Sequence, residues 1–490
     1  MFKTPSVRNS IVLLAVLGTG IASSISSSVA QMIERDITNN AVQQAIQSAR
    51  DQNQQHSGSQ PKNAKTVRPA DTKQALAPKK ERKEDIKPPT NGQQQAARNP
   101  SGVPPADERR FVPDEVVVEV ASALSSQQTD ALTRRFRLAN LEAVDFQLGG
   151  TKLLRLRIPD RRSVPVVVRA LETDNSVLFA QPNYLFALME ENAPDPLATG
   201  GDESQYELMK MHLPEAHRLA HGSKVLVAVI DSGIDVSHPD LAGDIAETFD
   251  AILVGEPVHK HGTAIAGSIA AHGRLMGVAP AAQILAIRAF SGNGRPEDGT
   301  TFAIMKGLDW AAVHGARAIN MSFAGPQDPG IARGIAAAHG KGVVLVAAAG
   351  NKGANSPPLF PAADRNVIAV TSTDKNDQIP AFANRGRYVA VAAPGVDLIL
   401  LAPNDSLQRM SGTSFSAAYV TGTVALMLER KPGLTPDGVR DALMASARHL
   451  GSTPVDDQSG GGLVDAYQAI LTVAPAEASE TTVTPAANRQ

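Results

Sequence analysis

The stretch KVLVAVIDSG, residues 224–233, decides the fold class of this chain. Residues 225–230 are all apolar and mostly β-branched, which is typical of a strand buried on both faces of a parallel sheet. The stretch ends in the turn sequence Asp-Ser-Gly, so Asp231 stands at the carboxyl end of the predicted strand. Open α/β sheets carry their functional groups at that end. We therefore expect Asp231 to belong to a functional site.

Further apolar runs follow between residues 283 and 395, and helical patterns alternate with them. The runs are QILAIRA, AINMSF, VVLVAAAG, NVIAVTS and YVAVAAPG, and the helical stretches include TFAIMKGLDWAAVHG and IARGIAAAHG. Such alternation predicts a parallel sheet with helices on both faces. The expected fold class is therefore α/β, with a doubly wound and mostly parallel sheet.

Three more polar side chains stand at comparable positions. His261 opens the small-residue run HGTAIAG, Asn351 follows the strand VVLVAAAG, and Ser414 opens the helical run SFSAAYVTGTVALMLER. A hydroxyl is a weak nucleophile at neutral pH, so it needs a base, a group that orients the base, and donors for the oxyanion. His261, Asp231 and Asn351 are candidates for these roles. The N–H of Ser414 itself, at a helix N-terminus, is a candidate for the second oxyanion donor.

Each of these residues has a simpler interpretation when it is taken alone. An aspartate in Asp-Ser-Gly fits a turn, an asparagine after a strand fits a turn as well, and a serine at a helix start fits an N-cap. His259 and His272 flank His261, but neither is followed by Gly-Thr, so we interpret both as solvated or locally bonded histidines. The four motifs together favour the catalytic interpretation.

The four segments resemble the subtilisin-like serine proteases, or subtilases, in which the triad follows the chain order Asp, His, Ser. The resemblance covers roughly residues 206–473, and it includes GVAP, INMSFAG and AAPG besides the DSG, HGT, AAAGN and GTS motifs. It implies a catalytic triad of Asp231, His261 and Ser414, with Asn351 in the oxyanion hole. The implied function is a serine endopeptidase that hydrolyses peptide bonds through an acyl-enzyme.

The same resemblance implies where a polypeptide substrate binds. Peptides commonly bind proteases as an added strand, and the segment Ser322, Phe323, Ala324 and Gly325 is expected to form one edge of the cleft. The family usually has glycine at the position of Ala324, so the extra methyl is expected to crowd the substrate. Leu359 replaces a glycine at the base of the pocket for the residue before the scissile bond. This predicts a short pocket that prefers small or medium apolar side chains.

Residues 111–188 predict a small module of two helices and four strands, before the protease segment. The predicted order is strand 116–121, helix 126–138, strands 141–148 and 152–158, helix 163–171 and strand 177–188. This is the pattern of a ferredoxin-like α+β unit, although an unrelated small module is the alternative. Its position resembles the inhibitory prodomain of subtilases, which acts as an intramolecular inhibitor. We expect it to aid formation of the slow parallel sheet, and expect self-cleavage between Ala187 and Gln205.

The terminal segments differ in composition from the rest. Residues 1–30 have a basic start, an apolar run and small residues before Ala30, which is the layout of a signal peptide, with an uncleaved anchor as the alternative. Residues 31–110 are rich in Gln, Lys and Pro and predict a disordered linker. Residues 189–205 predict a maturation linker, 206–473 the catalytic domain and 474–490 a disordered tail. The chain is expected to be a secreted or periplasmic zymogen.

Composition excludes several functions. The 490 residues contain no cysteine, which removes thiol catalysis, disulfides and thiolate metal sites. The net charge of −2 favours neither a nucleic acid nor a membrane surface as partner. No cofactor is expected. The connection 273–276 is too short for the loop that binds calcium in several relatives, so no metal ligand is assigned, and a weaker calcium site elsewhere stays open.

A competing hypothesis treats the protein as a latent scaffold. In that case the prodomain never leaves, and the fold binds polypeptides or an envelope partner without turnover. The complete set of triad motifs favours the enzyme.

Overall fold

The computed structural model of this chain describes residues 101–189, 205–253, 258–291 and 299–474. The predicted signal peptide, most of the predicted linker, nearly all of the maturation linker and the tail lie outside the described residues. Among the helices of the described ranges, none combines the length and the apolar character that crossing a bilayer requires.

The N-terminal module contains the predicted strands and helices. The strands are β1 (Phe111–Ala121), β2 (Ala139–Phe146), β3 (Thr151–Arg157) and β4 (Val177–Leu188), and the helices are α1 (Ser126–Phe136) and α2 (Val164–Leu171). Antiparallel pairing gives the strand order β4-β1-β3-β2. The predicted succession of elements is confirmed, while the ferredoxin-like assignment stays a prediction. A core of its own holds the module together, with Val118, Leu132, Leu154 and Val168 among its buried members.

The folded module begins earlier than the sequence predicted. The Glu172 carboxylate accepts hydrogen bonds from Ser101 Oγ at 2.8 Å and from Gly102 N at 2.7 Å. A Cβ on Gly102 would lie 1.9 Å from the carbonyl oxygen of Ala180, so the backbones pack directly. Assigning residues 101–110 to the linker was therefore wrong. These contacts use backbone groups and small side chains, which composition does not register.

The larger, C-terminal part is built on a seven-stranded sheet in which every pair of neighbours is parallel. Its strands are β5 (Leu226–Asp231), β6 (Ile245–Asp250), β7 (Gln283–Arg288), β9 (Ala318–Met321), β11 (Val344–Ala348), β12 (Ile368–Thr373) and β13 (Val389–Pro394). The order is β13-β12-β11-β9-β5-β7-β6. After β7 the chain crosses to the other side of β5, so β5 stands where the strand order reverses. Doubly wound sheets place their sites at this point.

The remaining described elements surround the sheet or lie at its ends. They are two short strands, β8 (Gly299–Thr300) and β10 (Phe323–Ala324), a hairpin of β14 (Leu398–Ala402) and β15 (Ser406–Met410), a 3-10 turn (Pro239–Leu241), and the helices α3 (Tyr206–Lys210), α4 (Leu213–Ala216), α5 (Lys260–Ala270), α6 (Thr301–Val313), α7 (Pro329–Gly340), α8 (Thr413–Arg430), α9 (Pro436–Ser446) and α10 (Ala466–Val473).

Side chains of β5 alternate between two cores, as the sheet geometry requires. Val227 and Val229 belong to the core that includes side chains of α5 and α8. Ala228 and Ile230 belong to the core that includes α6, α7 and part of the prodomain. Helices therefore cover both faces, and the predicted α/β fold class is confirmed.

Candidate active site

The ends of β5 and α5 bring a carboxylate and an imidazole together. Asp231 is the last residue of β5, and His261 is the second residue of α5. Nδ1 of His261 lies 2.7 Å from Oδ1 of Asp231, and both side chains are fully buried. Gly262 permits this approach, because a Cβ there would lie 2.6 Å from the carbonyl oxygen of Ser232. The imidazole is thus held by a carboxylate that water does not reach.

The carboxylate of Asp231 has further support from the next residue. Its Oδ1 accepts hydrogen bonds from the backbone N of Ser232 at 2.7 Å and from Ser232 Oγ at 3.1 Å. A buried carboxylate is costly unless such donors surround it. The donors therefore keep the group in place at the end of the strand.

Ser414 lies at the start of α8, and its hydroxyl faces two backbone carbonyl groups. Its Oγ is 2.6 Å from the carbonyl oxygen of Met189 and 3.1 Å from that of Ser322. Ser322 Oγ in turn donates to the carbonyl oxygen of Ser414 at 3.0 Å. Phe415, the next residue, packs its ring against His261 with 5.7 Å between centroids. The residue that follows Ser414 therefore contacts His261.

The amide of Asn351 contacts Thr413, the residue that precedes Ser414. Its Oδ1 accepts hydrogen bonds from Thr413 N at 3.1 Å and from Thr413 Oγ1 at 2.7 Å. These two donors fix which way the amide points. Its Nδ2 is buried and has no acceptor within the described part of the chain. Thr413 was not singled out from the sequence, although its place directly before Ser414 was a usable signal.

The last strand of the prodomain fills the cleft. β4 pairs antiparallel with β8 through Leu185 and Phe186, and with β10 through Ala187 and Leu188. The N–H of Met189 then donates to the carbonyl oxygen of Ser322 at 3.2 Å. The prodomain therefore lies in the cleft as a strand with partners on both sides.

The segment 322–325 forms the edge that pairs with this strand. Ala324 lies opposite Ala187 in antiparallel register, so its methyl does not prevent pairing with the prodomain strand, and crowding of a substrate stays a prediction. Gly325 leaves room for an aromatic side chain, because a Cβ there would lie 2.4 Å from the ring of Phe186. Phe323 packs edge-on against the same ring, with 6.0 Å between centroids.

Met189 and Leu359 belong to one buried cluster. Their exposed fractions are 5% and 8%, and Ala324 and Ala348 are members of the same cluster. A Cβ on Gly350 would lie 2.8 Å from Cδ1 of Leu359, which shows how closely the leucine fills this space. The side chains of Met189 and Leu359 are thus both buried in the same apolar core.

A polar network joins the prodomain to the N-terminus of α7. Asp328 caps this helix by accepting from Ile331 N at 3.0 Å. Its carboxylate also accepts from Gln181 Nε2 at 2.7 Å and from Thr301 Oγ1 at 2.6 Å. Gln181 Oε1 accepts from Gly330 N at 2.8 Å. A prodomain side chain therefore shares the helix cap with Asp328.

A second network joins the prodomain to the N-terminus of α6. Asn183 Oδ1 accepts from Phe302 N at 3.1 Å, while its Nδ2 donates to Glu115 Oε2 at 2.9 Å. The N–H of Tyr184 donates to Thr301 Oγ1 at 2.9 Å. No local pattern predicts these contacts, because Asp328, Gly330 and Phe302 lie far along the chain from Gln181 and Asn183.

One group of ligand-type side chains stands apart from the cleft. His238, Asp240 and Asp405 place donor atoms within 4.8 Å of one another among the described residues. Arg274 already contacts both carboxylates, with Nε 3.5 Å from Asp240 and Nη2 2.5 Å from Asp405. A guanidinium thus supplies the positive charge here, and we interpret the group as an ion-pair network.

A doubly wound sheet with a peptide strand in its cleft and a serine hydroxyl at the peptide carbonyl has the architecture of a serine peptidase. The sequence model of the Subtilase family matches residues 222–462, and that of the Fervidolysin N-terminal prodomain matches residues 97–183. Thermitase from Thermoactinomyces vulgaris is 35% identical over 274 residues, which cover 54% of this chain and 95% of thermitase. The chain belongs to the subtilase family.

Two further comparisons agree with this assignment. Subtilisin BL from Lederbergia lenta is 35% identical over 271 residues, which cover 54% of this chain and 97% of that protein. The crystal structure of fervidolysin from Fervidobacterium pennivorans has the same fold, with a TM-score of 0.62, 23% identity, and coverage of 74% of this chain and 61% of that one. The protein is a subtilisin-family serine endopeptidase with a prodomain, so the predicted family and enzyme class are confirmed.

Burial beneath the prodomain raises the pKa of Asp328 above the usual carboxyl range, although hydrogen bonds from Thr301 and Gln181 act in the opposite direction. Departure of the prodomain removes Gln181 and admits water. Asp328 therefore binds its proton more tightly while the prodomain is bound than after it has left. This proton stabilises the prodomain complex fully below the ordinary carboxyl pKa, and the stabilisation is lost as pH rises through the raised pKa. We predict that prodomain release becomes faster over that interval, by up to about tenfold for each unit of pKa difference.

The measurement is the rate at which activity appears when freshly processed protein is incubated at a series of pH values and assayed at one common pH. Asp328→Asn is the matched control, because asparagine caps a helix equally well but does not titrate. Its release rate should lack this pH dependence. Identical pH profiles for the two proteins would contradict the prediction.

Proposed function

We propose that this protein is made as a zymogen and that Asp231, His261 and Ser414 form its catalytic triad. The observation that carries the proposal is the 2.6 Å approach of Ser414 Oγ to the carbonyl oxygen of Met189, in a strand paired on both sides. A peptide bound as an added strand, with its carbonyl at a nucleophile, is placed as a substrate. The first bond hydrolysed is then Met189–Glu190.

The proposed mechanism uses the side chains of Asp231, His261, Ser414 and Asn351. The Ser414 hydroxyl turns its proton from the Met189 carbonyl oxygen to His261, and Oγ attacks the carbonyl carbon. Asp231 keeps the ring oriented through Nδ1 and stabilises the imidazolium. The oxyanion accepts hydrogen bonds from Asn351 Nδ2 and from the N–H of Ser414. His261 then gives the proton to the leaving amine, and water, deprotonated by His261, releases the acyl group.

The prodomain acts as an intramolecular inhibitor because it occupies the cleft. It also aids folding, since its side chains cap α6 and α7 and share a core with the parallel sheet. We place it at residues 101–189, and the catalytic domain at 205–474. Residues 1–30 act as a signal peptide, so the protein reaches the periplasm or the medium. Its substrates are other polypeptides, and nucleic acids are not among its partners.

The reaction needs no cofactor, because every proposed step uses a group of this chain or water. We propose that calcium is not required for catalysis. Arg274 supports this view, since it supplies a cation beside Asp240 and Asp405.

A fluorophosphonate probe tests the proposed nucleophile. In wild-type protein from which the cleaved prodomain has dissociated, the probe should label Ser414, because an activated serine attacks phosphorus as it attacks a carbonyl. Ser414→Ala should show neither label nor the shorter, processed form on an immunoblot. Equal processing of both proteins would contradict self-cleavage. A wild-type protein that stays unlabelled after limited proteolysis of the prodomain would instead support the latent scaffold.

Substrate preference tests the pocket that Leu359 closes. Wild-type protein should prefer Met or Leu over Phe or Trp before the scissile bond. Leu359→Gly should raise kcat/KM for Phe relative to Met by about tenfold, since pocket differences of this size are worth about 1–3 kcal/mol. A panel of fluorogenic peptides that differ only at this residue measures the effect. Val455→Gly, at an exposed position, is the control. An aromatic preference in wild type, or an unchanged preference in Leu359→Gly, would contradict the assignment.

A further inference from the structure

His259 stands at the start of α5, two residues before the imidazole of the site. It is the N-cap of this helix, and its Nδ1 accepts from the backbone N of His261 at 3.3 Å. Its own backbone N donates to the carbonyl oxygen of Gly233 at 2.7 Å. Its carbonyl oxygen accepts from Thr263 Oγ1 at 3.0 Å. His259 therefore fixes the first turn of α5 against the loop that follows β5.

The same ring nitrogen also reaches the residue next to Asp231. Nδ1 of His259 lies 3.2 Å from Ser232 Oγ, and this hydroxyl lies 3.1 Å from Oδ1 of Asp231. Ser232 Oγ additionally accepts from Gly262 N at 3.1 Å. The close contacts form a ring that runs from His259 through Ser232 and Asp231 to His261, and back to His259 along the helix start. The single hydroxyl hydrogen of Ser232 is directed either to Oδ1 of Asp231 or to Nδ1 of His259.

We propose that His259 is a positioning residue for peptide hydrolysis. It acts through Ser232 on the Asp231 carboxylate and through the first turn of α5 on His261. The proposal rests on the roles of Asp231 and His261 proposed above. Catalysis is sensitive to small displacements of reacting groups, so a ring that fixes both ends of the Asp231–His261 contact supports the chemical step. Substrate-binding groups of the segment 322–325 lie outside this ring.

Two variants separate this role from simple helix capping. His259→Ser retains an N-cap hydroxyl, but its Oγ is too short to reach Ser232. His259→Asn retains the cap and places an amide atom near the position of Nδ1. His272→Ser is the matched control, because His272 follows the other end of α5 and its Nδ1 lies 2.7 Å from an Asp244 carboxylate oxygen.

The experiment measures kcat and KM of processed protein, with active sites counted by fluorophosphonate titration. His259→Ser should lower kcat about tenfold and leave KM within about twofold, since displacement of catalytic groups affects the chemical step more than binding. His259→Asn should recover at least half of the wild-type kcat. His272→Ser should leave both constants near wild type. A wild-type kcat for His259→Ser, or an equal loss for His272→Ser, would overturn the proposal.

A double substitution tests the connection through Ser232. If His259 acts on Asp231 through this hydroxyl, adding His259→Ser to Ser232→Ala should cost no more than about twofold in kcat, whereas independent effects would multiply. Multiplying losses would therefore overturn the proposed connection. His261→Ala distinguishes the proposed triad from the proposed role of His259. Activity in His261→Ala would overturn the triad and this proposal together, whereas its loss alongside an unaffected His259→Ser would overturn only the role of His259.

Discussion

The pairing of the prodomain's last strand inside the cleft is the constraint on which the account of this protein depends. Strand β4 has partners on both sides, so its backbone groups at the cleft are satisfied by β8, β10 and Ser322. Unpaired backbone groups in such a buried place would be costly. The pairing register therefore determines which carbonyl group lies at Ser414. A shift of one residue would turn every side chain of the strand to the opposite face of the sheet. Under the proposed function, the same strand pairing both blocks the cleft and presents the first peptide bond to Ser414.

The prodomain and the parallel sheet also share an apolar core. Phe146, Leu153 and Phe186 of the prodomain lie in one buried cluster with Ile230 and Leu285 of the sheet. Departure of the prodomain exposes part of this cluster to water, which is unfavourable at roughly 25 cal/mol per Å² of apolar surface. Cleavage alone therefore does not release the inhibitor. The buried carboxyl of Asp328 adds a contribution to the interface that depends on pH.

The sequence predicts those parts of the fold that local pattern determines. Strands such as β5 are continuous apolar runs. Asp231, His261 and Ser414 stand at strand or helix ends, and Asn351 lies in the loop after β11. Strand β6 was missed, because its sequence IAETFD at the sheet edge keeps polar residues exposed and forms no apolar run. The same limit explains the early start of the prodomain and the caps from Gln181 and Asn183. Those features depend on partners far away in the chain, and no local periodicity records them.

The position of the first cut tests the central claim most directly. Mass spectrometry of the earliest products of wild-type processing, with Ser414→Ala as the uncleaved reference, identifies both new termini. We predict a prodomain fragment that ends at Met189 and a catalytic fragment that begins at Glu190. A first cut at any other bond of residues 187–205 would contradict the strand register, and the same cut in Ser414→Ala would contradict the role of the serine.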